Sequence, residues 1–376
     1  MLYYLLTILH VKVNGFNHFR REVYLMKKRY TQQELADELG VSRATIDRVI
    51  HNRGGISEKT VNVVKKRLKE VNYNADLIGR TLAKRDFQTV YVLTFANNFF
   101  AEDAIAGFKT AEEEYSRYGV HLEFMRSHYD TDLQIKQMEQ AIEDKASGII
   151  LCSHEPEKMK DIIDKCTALS IPVITFNNDV PSSSRLCFVG GDYIEAGLLA
   201  GELIRKLIRA GTVAHVHTFQ NFWQTQRLSG FLKAMEGVPE VSVVESRLES
   251  PTYRVAYNEI KYLLEQYQDL QGLVVQISTE EQANGTFDAI KNHSSKHIHV
   301  LTFDLASFIT QYLADDYITA CVCQDPFSQG YCSAKLMFRY LLTGVLPERV
   351  LYKIRYEAVF ASNHQNYGRE FYNLLR

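Results

Sequence analysis

Two observations predict a two-lobed α/β body of parallel sheets with a small all-α domain in front of it. The first is rhythm. From Thr89 onward, short apolar runs alternate with amphipathic stretches of ten or more residues, and the series restarts after Gly211. The second is charge. Residues 26–85 hold 14 Lys and Arg against 7 Asp and Glu, a net of +7, while residues 86–376 carry −11 within a total of −2. A basic head on an acidic body directs a polyanion partner to the head alone. The 376 residues allow two to three domains, and 46% apolar with 23% charged residues is the balance of a globular chain. Disordered, collagen-like and disulfide-stapled classes are excluded, and no apolar run approaches the roughly 20 residues of a transmembrane helix.

The stretch Leu2 to Leu9 is apolar, but no positive segment precedes it and no small-residue cleavage site follows, so a signal peptide is not expected. Met26-Lys27-Lys28-Arg29-Tyr30 would be a natural start for the head. Residues 1–25 therefore read as an extended gene start or disordered tail, with a short helix or strand packing on the head as the rival reading.

In the head, Thr31-Gln32-Gln33-Glu34 forms a capping box, with Leu35, Ala36 and Leu39 at helical spacing behind it. Gly40 supplies the left-handed position that ends this helix, and Val41 the buried turn residue. Ser42 caps the next helix, residues 43–50, whose Ile46, Val49 and Ile50 face inward. Two short helices joined through a glycine match a helix-turn-helix unit; an ordinary helical hairpin is the plainer alternative. A third helix opens at Ser57 and carries Val61, Val64, Leu68 and Val71 on one side, with Lys65, Lys66, Arg67 and Lys69 mostly on the other. In such a unit the second helix sets its early residues against major-groove base edges, which singles out Arg43, Ala44 and Arg48. Arginine makes bidentate bonds to guanine, and alanine offers apolar contact to a thymine methyl. A solvated or phosphate-facing side chain is the alternative at each position.

Residues 31–83 resemble the headpiece of the LacI/GalR family of bacterial transcription regulators. The resemblance runs in fixed order through Glu34-Leu35-Ala36, Gly40-Val41-Ser42, Ala44-Thr45-Ile46, Arg48-Val49-Ile50, Ser57-Glu58-Lys59-Thr60, Leu68-Lys69-Glu70-Val71-Asn72-Tyr73 and Arg80-Thr81-Leu82-Ala83. It implies DNA contacts from Thr31, Ser42, Arg43, Ala44, Thr45, Arg48 and His51. It also implies a hinge helix over residues 77–83, with Leu82 wedged between minor-groove base pairs beside Ala83, at a few kcal/mol offset by added contacts. Asp47 stands where Ser is common and His51 where Asn is common, and proline is missing near Ala75, so the operator sequence does not carry over.

In the body, strands are predicted at 89–95, 121–126, 148–153, 173–177, 212–218, 241–247, 272–278, 299–304 and 318–324. That count exceeds one comfortable sheet, so two lobes flank a cleft, and the body resembles a periplasmic-binding-protein-like (type I) fold over about residues 87–360. Ligands of open α/β sheets bind at the carboxyl ends of strands. Polar and aromatic residues there are Asn98, Phe99, Phe100, Asn177, Trp223, Arg227, Thr279, Asp304 and Gln324. Each resembles a ligand-contact position of sugar-binding members of this fold. Amides, a carboxylate and a guanidinium suit a polyol, and aromatics cover sugar faces. A strand-end cap or turn is the alternative at every one of these positions. Asn177 replaces a common Asp, and Thr279-Glu280 replaces a common Asn-Asp pair, which opens the way to a sugar acid or modified saccharide.

The six cysteines include no Cys-x-x-Cys pair and read as reduced small hydrophobes of a cytoplasmic protein. His215-x-His217 and His297-x-His299 lack a suggestively spaced third ligand, and no nucleophile elbow, phosphate loop or dinucleotide fingerprint appears. No metal, cofactor or enzymatic activity is expected. The expected organisation is a tail at 1–25, a helix-turn-helix domain at 26–73, a hinge at 74–86, an effector-binding and dimerisation body at 87–362, and a tail at 363–376. The expected function is a ligand-responsive transcription regulator, binding a near-palindromic operator as a homodimer. The alternatives are a sugar-binding receptor without a DNA role, and a sugar-processing enzyme.

Overall fold

Helix α1, Gln32–Leu39, ends where Gly40 enters left-handed backbone at φ 62°. The Gly40 amide donates to the Asp37 carbonyl and the Val41 amide to that of Ala36, the paired bonds of a Schellman turn. Two residues later the Ser42 side chain accepts from the Thr45 amide at 3.0 Å and starts α2, Arg43–Ile50. Ser57 repeats that device for α3, Glu58–Glu70. The three helices bury Leu35, Ala36, Ile46, Val49 and Val64 against one another. Arg67 of α3 ties back to Glu38 of α1 at 2.6 Å.

The computed structural model describes residues 32–50, 53–70, 87–94, 99–218 and 222–367. The chain divides into two units between Arg85 and Asp86. Residues 1–25, Thr31, His51, the expected hinge helix with Leu82 and Ala83, and Asn98 lie outside the described residues, as does the Phe99 side chain.

The second unit holds two six-stranded sheets. In chain order the elements of the first lobe are β1 (Gln88–Thr94), α4 (Phe99–Tyr115), β2 (Val120–Arg126), α5 (Thr131–Glu143), β3 (Gly148–Leu151), α6 (Lys160–Ala168), β4 (Val173–Phe176) and β5 (Cys187–Gly190). The second lobe follows with α7 (Tyr193–Leu207), β6 (Gly211–His217), α8 (Phe222–Met235), β7 (Val241–Arg247), α9 (Tyr253–Gln266), β8 (Leu270–Val275), α10 (Glu280–His293), β9 (His299–Phe303), α11 (Ser307–Ala314) and β10 (Ala320–Cys323). The chain closes with α12 (Pro326–Thr343), β11 (Leu351–Lys353) and β12 (Glu357–Val359).

The sheet orders are β11-β5-β4-β3-β1-β2 and β12-β10-β9-β8-β6-β7, the same doubly wound order twice. All pairings are parallel except β10 with β12. The chain crosses between lobes three times: after β5, after β10, and between β11 and β12.

In each lobe a crossing helix packs backbone to backbone on the lobe's own first helix. A methyl at Gly197 of α7 would collide with the Arg227 carbonyl of α8, and one at Gly230 with that of Ile194. In the first lobe, Gly330 of α12 meets the Ala104 carbonyl of α4, and Gly107 that of Phe327. Only glycine permits these approaches. The matching contacts make Ala104 and Arg227 equivalent positions of a duplicated design.

Three strands depart from expectation. Cys187–Gly190 is only four residues long, and β11 and β12 are three-residue edge strands, so none has a legible apolar run. Strands expected to include Asn177 and Asp304 stop one residue earlier, because both residues turn into left-handed backbone at φ 61°. The chain beyond residue 362 is no free tail as far as Tyr367, which packs on the second lobe's core and donates its hydroxyl proton to the Gln324 carbonyl.

Candidate functional site

On the head, α2 presents Arg43, Ala44 and Arg48 as exposed side chains, with Thr45 half-buried behind the Ser42 cap. The Ser42 and Thr45 hydroxyls lie 2.9 Å apart, and Arg43 Nε reaches Gln32 of α1 at 3.4 Å. Lys65 and Lys66 of α3 are exposed as well. This gives a helix with two outward guanidinium groups on a basic unit, the arrangement that neutralises phosphates and reaches groove edges.

In the body, the strand ends bring most of the expected residues into one network. Arg227 projects from the second turn of α8, where the Gly197 and Gly230 contacts fix its backbone. Its Nη2 donates to Asp304 Oδ2 at 2.7 Å, and its guanidinium lies 4.6 Å from the Phe303 ring centre and 5.3 Å from that of Tyr193. Burial is the largest influence and opposes the Arg227 charge, but Asp304, Tyr356 and Tyr193 together outweigh it and hold the group above its ordinary value. Arg227 Nε and Asp304 Oδ1 are buried without a hydrogen-bond partner. Such orphaned atoms at a strand end fit a ligand rich in hydroxyls and acceptors.

Asn177 sits in the first lobe as Asp304 does in the second. Each backbone amide donates to the neighbouring strand of its lobe, Asn177 to the Val189 carbonyl of β5 and Asp304 to the Val322 carbonyl of β10, both at 3.0 Å. Tyr193 at the start of α7 places its hydroxyl 2.8 Å from Asn177 Oδ1 and 2.9 Å from Asn178 Oδ1. Burial drives the Tyr193 phenol well above its ordinary value, so it stays protonated. Trp223 at the start of α8 is half-buried, and its ring lies 6.3 Å from that of His154, which follows β3 in the other lobe. His154 also meets Tyr129 edge-on at 5.4 Å, and burial pulls the His154 imidazole below its usual value. Aromatic rings from both lobes thus meet at these strand ends.

Other expected residues are placed differently. Thr279 is the N-cap of α10: its hydroxyl oxygen accepts from the Gln282 amide at 3.1 Å and donates to the Pro251 carbonyl at 2.5 Å. That hydroxyl is employed within the fold, which is the plain alternative for this position. Gln324 lies at the second crossover, 4% exposed, with Oε1 accepting from Gln329 Nε2 at 3.0 Å. Phe100 is half-buried in the first turn of α4. Tyr193, Asn178, His154 and Tyr129 are network members not singled out from the sequence. His154 lies one residue past an expected strand end, so the strand-end rule could have reached it. Tyr356, in the third crossover, is a further one: its ring packs on Gly191 of the first crossover and its hydroxyl faces Arg227.

Among the described residues no group of three or more His, Cys, Asp and Glu could hold a metal ion. His217 pairs with Glu245 at 3.0 Å, and His215 is fully buried with both ring nitrogens unpartnered. Among the described residues no helix is long and apolar enough to cross a membrane.

Comparison with known proteins matches residues 89–344 to the family described as "Periplasmic binding protein domain" and residues 31–76 to "Bacterial regulatory proteins, lacI family". The ribose operon repressor of Bacillus subtilis is 24% identical over 251 residues, 65% of this chain and 72% of that protein. The regulator RegA of Clostridium saccharobutylicum is 23% identical over 324 residues, 84% and 94% of the two chains. The sucrose operon repressor of Streptococcus mutans is 26% identical over 46% of this chain, which spans about half (51%) of that protein. Among solved structures, the glucose-galactose binding protein GanP of Geobacillus stearothermophilus superposes with a TM-score of 0.65 at 23% identity, covering 74% of this chain and 99% of that one. A sugar-binding protein of a Bacillus halodurans sugar transporter gives a TM-score of 0.67 at 23% identity, with 74% and 99% covered. At these identities the structural likeness establishes the fold.

Proposed function

The chain belongs to the periplasmic binding protein domain family, carried here behind a DNA-binding domain of the bacterial lacI regulatory family, and from that premise we propose a cytoplasmic transcription regulator that binds a near-palindromic operator as a homodimer. Arg43, Ala44 and Arg48 of α2 read the major groove, with Ser42 and Thr45 at the cap meeting the phosphate backbone. Thr31, His51, Leu82 and Ala83 complete the DNA contacts by resemblance. The effector is a small sugar-like molecule held in the cleft by Asn177, Trp223, Arg227, Asp304 and Gln324, with Asn98, Phe99 and Phe100 added by resemblance. Thr279 acts there through the loop it caps.

The observation that carries this reading is the union, in one chain, of a basic helix-turn-helix with a two-lobed body whose strand ends converge on the Arg227–Asp304 pair. Three crossovers connect the lobes, so a molecule bridging Asn177 and Asp304 alters the lobe arrangement. It shifts DNA affinity only to the extent that it binds the DNA-competent and incompetent arrangements unequally. The named repressors among the relatives support a regulator over an enzyme.

Selection of bound sequences from random duplex DNA tests the reading. Enrichment of a two-fold symmetric site is expected. A folded protein that enriches no site, with or without sugars present, overturns it.

A further inference from the structure

Tyr193 faces two amides with one proton. Its oxygen lies 2.8 Å from Asn177 Oδ1 and 2.9 Å from Asn178 Oδ1, yet a phenol donates only once. Asn178 is fixed, because its Nδ2 stands 2.6 Å from the Ser153 carbonyl oxygen, which accepts and never donates. The phenol proton therefore goes to Asn178. The Asn177 group facing the phenol oxygen is then its NH2, reached by a half-turn of the carboxamide that leaves its outline unchanged. The Asn177 oxygen comes to lie at the position 3.6 Å from Cys152 Sγ, where the thiol, pushed up to about 12 by burial, stays protonated and donates. Every bond now runs one way, from Cys152 through Asn177, Tyr193 and Asn178 to the Ser153 carbonyl. A carboxylate at position 177 would break this chain, having no N–H for the phenol oxygen.

Resting on the reading of the cleft as an effector site, we propose that Tyr193 is a positioning residue that holds Asn177 as an uncharged N–H donor, and that the cleft so built takes a sugar acid, a polyol bearing a carboxylate, in preference to a neutral sugar. The two lobes supply the argument. At the equivalent strand ends the second lobe has Asp304 facing Arg227, whereas the first has Asn177 with Ala104 in place of the arginine. The nearest acid of that strand end, Asp179, is engaged by Arg185. No carboxylate of this strand end is left to repel an anion. Asn177 retains a second N–H, and Arg227 Nε has no acceptor in the fold; the two residues are 6% and 4% exposed. These two N–H groups, one from each lobe, fit the two oxygens of a carboxylate, whose hydrogen bonds are about twice as strong as neutral ones. Asp304 Oδ1 remains for a ligand hydroxyl.

Calorimetry on the full chain with D-galactose against D-galacturonate, and D-glucose against D-glucuronate, tests this. An acid is expected to bind at least about tenfold more tightly than its neutral parent, the value of one charge-assisted bond. Asn177→Asp should abolish that preference, and Tyr193→Phe, which lets the Asn177 amide rotate, should reduce it in a protein that still unfolds cooperatively. Neutral sugars binding as well as acids, no binding by either acid, or a preference that survives Asn177→Asp overturns the inference. An unchanged preference in Tyr193→Phe overturns the positioning role. Enrichment of a symmetric operator in the same preparation would leave the regulator reading standing in each of those cases.

Discussion

Asn177 and Asp304 hold the same place in the two lobes. Each follows the fourth strand of its sheet in left-handed backbone at φ 61°, and each donates its amide to the neighbouring strand at 3.0 Å. Asparagine and aspartate tolerate that conformation better than other side chains, since their short polar groups bond locally. The duplication thus fixes two polar side chains at facing strand ends, and the lobes differ in what they place beside them.

The Arg227–Asp304 pair is buried, with side chains 5% and 17% exposed. Arg227→Ala leaves the carboxylate without its partner and should cost about 3–5 kcal/mol in urea unfolding. Arg227→Met with Asp304→Asn removes both charges and should recover most of that loss, while effector response stays absent. A single variant as stable as the parent would show that the pair is not desolvated.

His215 is fully buried, and burial pulls its imidazole from 6.5 down to about 3. The unfolded chain takes up a proton below pH 6.5 that the folded chain refuses, so stability is full above that pH and falls as pH drops toward 3. The slope from this group is about 1.4 kcal/mol per pH unit. Urea titrations between pH 7 and 4 should show a shallower decline in His215→Leu; parallel curves would contradict the assignment.

Trp223 is the chain's one tryptophan, so intrinsic emission reports on the cleft. Protonation of His154, 6.3 Å away, should change that emission below the usual imidazole range, because burial lowers its pKa. A transition at or above pH 6.5, or one that survives His154→Gln, would count against the cross-lobe contact.

Helices α7 and α8 touch through Gly197 and Gly230. Gly230→Ala forces them apart and should destabilise by about 1–3 kcal/mol, as overpacking generally does. It should also weaken effector binding through displacement of Arg227. A neutral result in chemical denaturation would mean the helices yield without cost.

The sequence carries the fold where apolar runs are long. Strands β1, β6 and β7, seven residues each, are legible, whereas Cys187–Gly190 and the three-residue edges β11 and β12 are set by tertiary pairing. In the site, the strand-end rule reaches Asn177 and Asp304 directly. Tyr193 escapes it because α7 starts at a crossover, and its partners depend on which lobe the chain enters. Thr279 carries a local signal of its own: with Gln282 three residues on, it has the spacing of a capping box, and the structure employs its hydroxyl as the cap, while the Gln282 side chain reaches back to the Ser278 amide one residue earlier.

On the head, DNA affinity should fall with salt by roughly 0.9 log unit per neutralised phosphate for each log unit of salt. Arg48→Ala should relax base preference at one operator position, by about 1–3 kcal/mol, while Lys66→Ala should lower affinity for all sequences and reduce the salt slope by about one. Equal losses on all sequences for Arg48→Ala would remove it from base reading.

The central claim is that a ligand in the cleft changes affinity for operator DNA. The measurement that meets it most directly is fluorescence-anisotropy titration of the selected operator at fixed salt, with and without a saturating cleft ligand, in parent and Arg227→Ala proteins. The account predicts a shift in operator Kd of about 5- to 150-fold in the parent, the usual range of allosteric coupling, and none in Arg227→Ala. An operator Kd that stays the same when the cleft is demonstrably filled would contradict it.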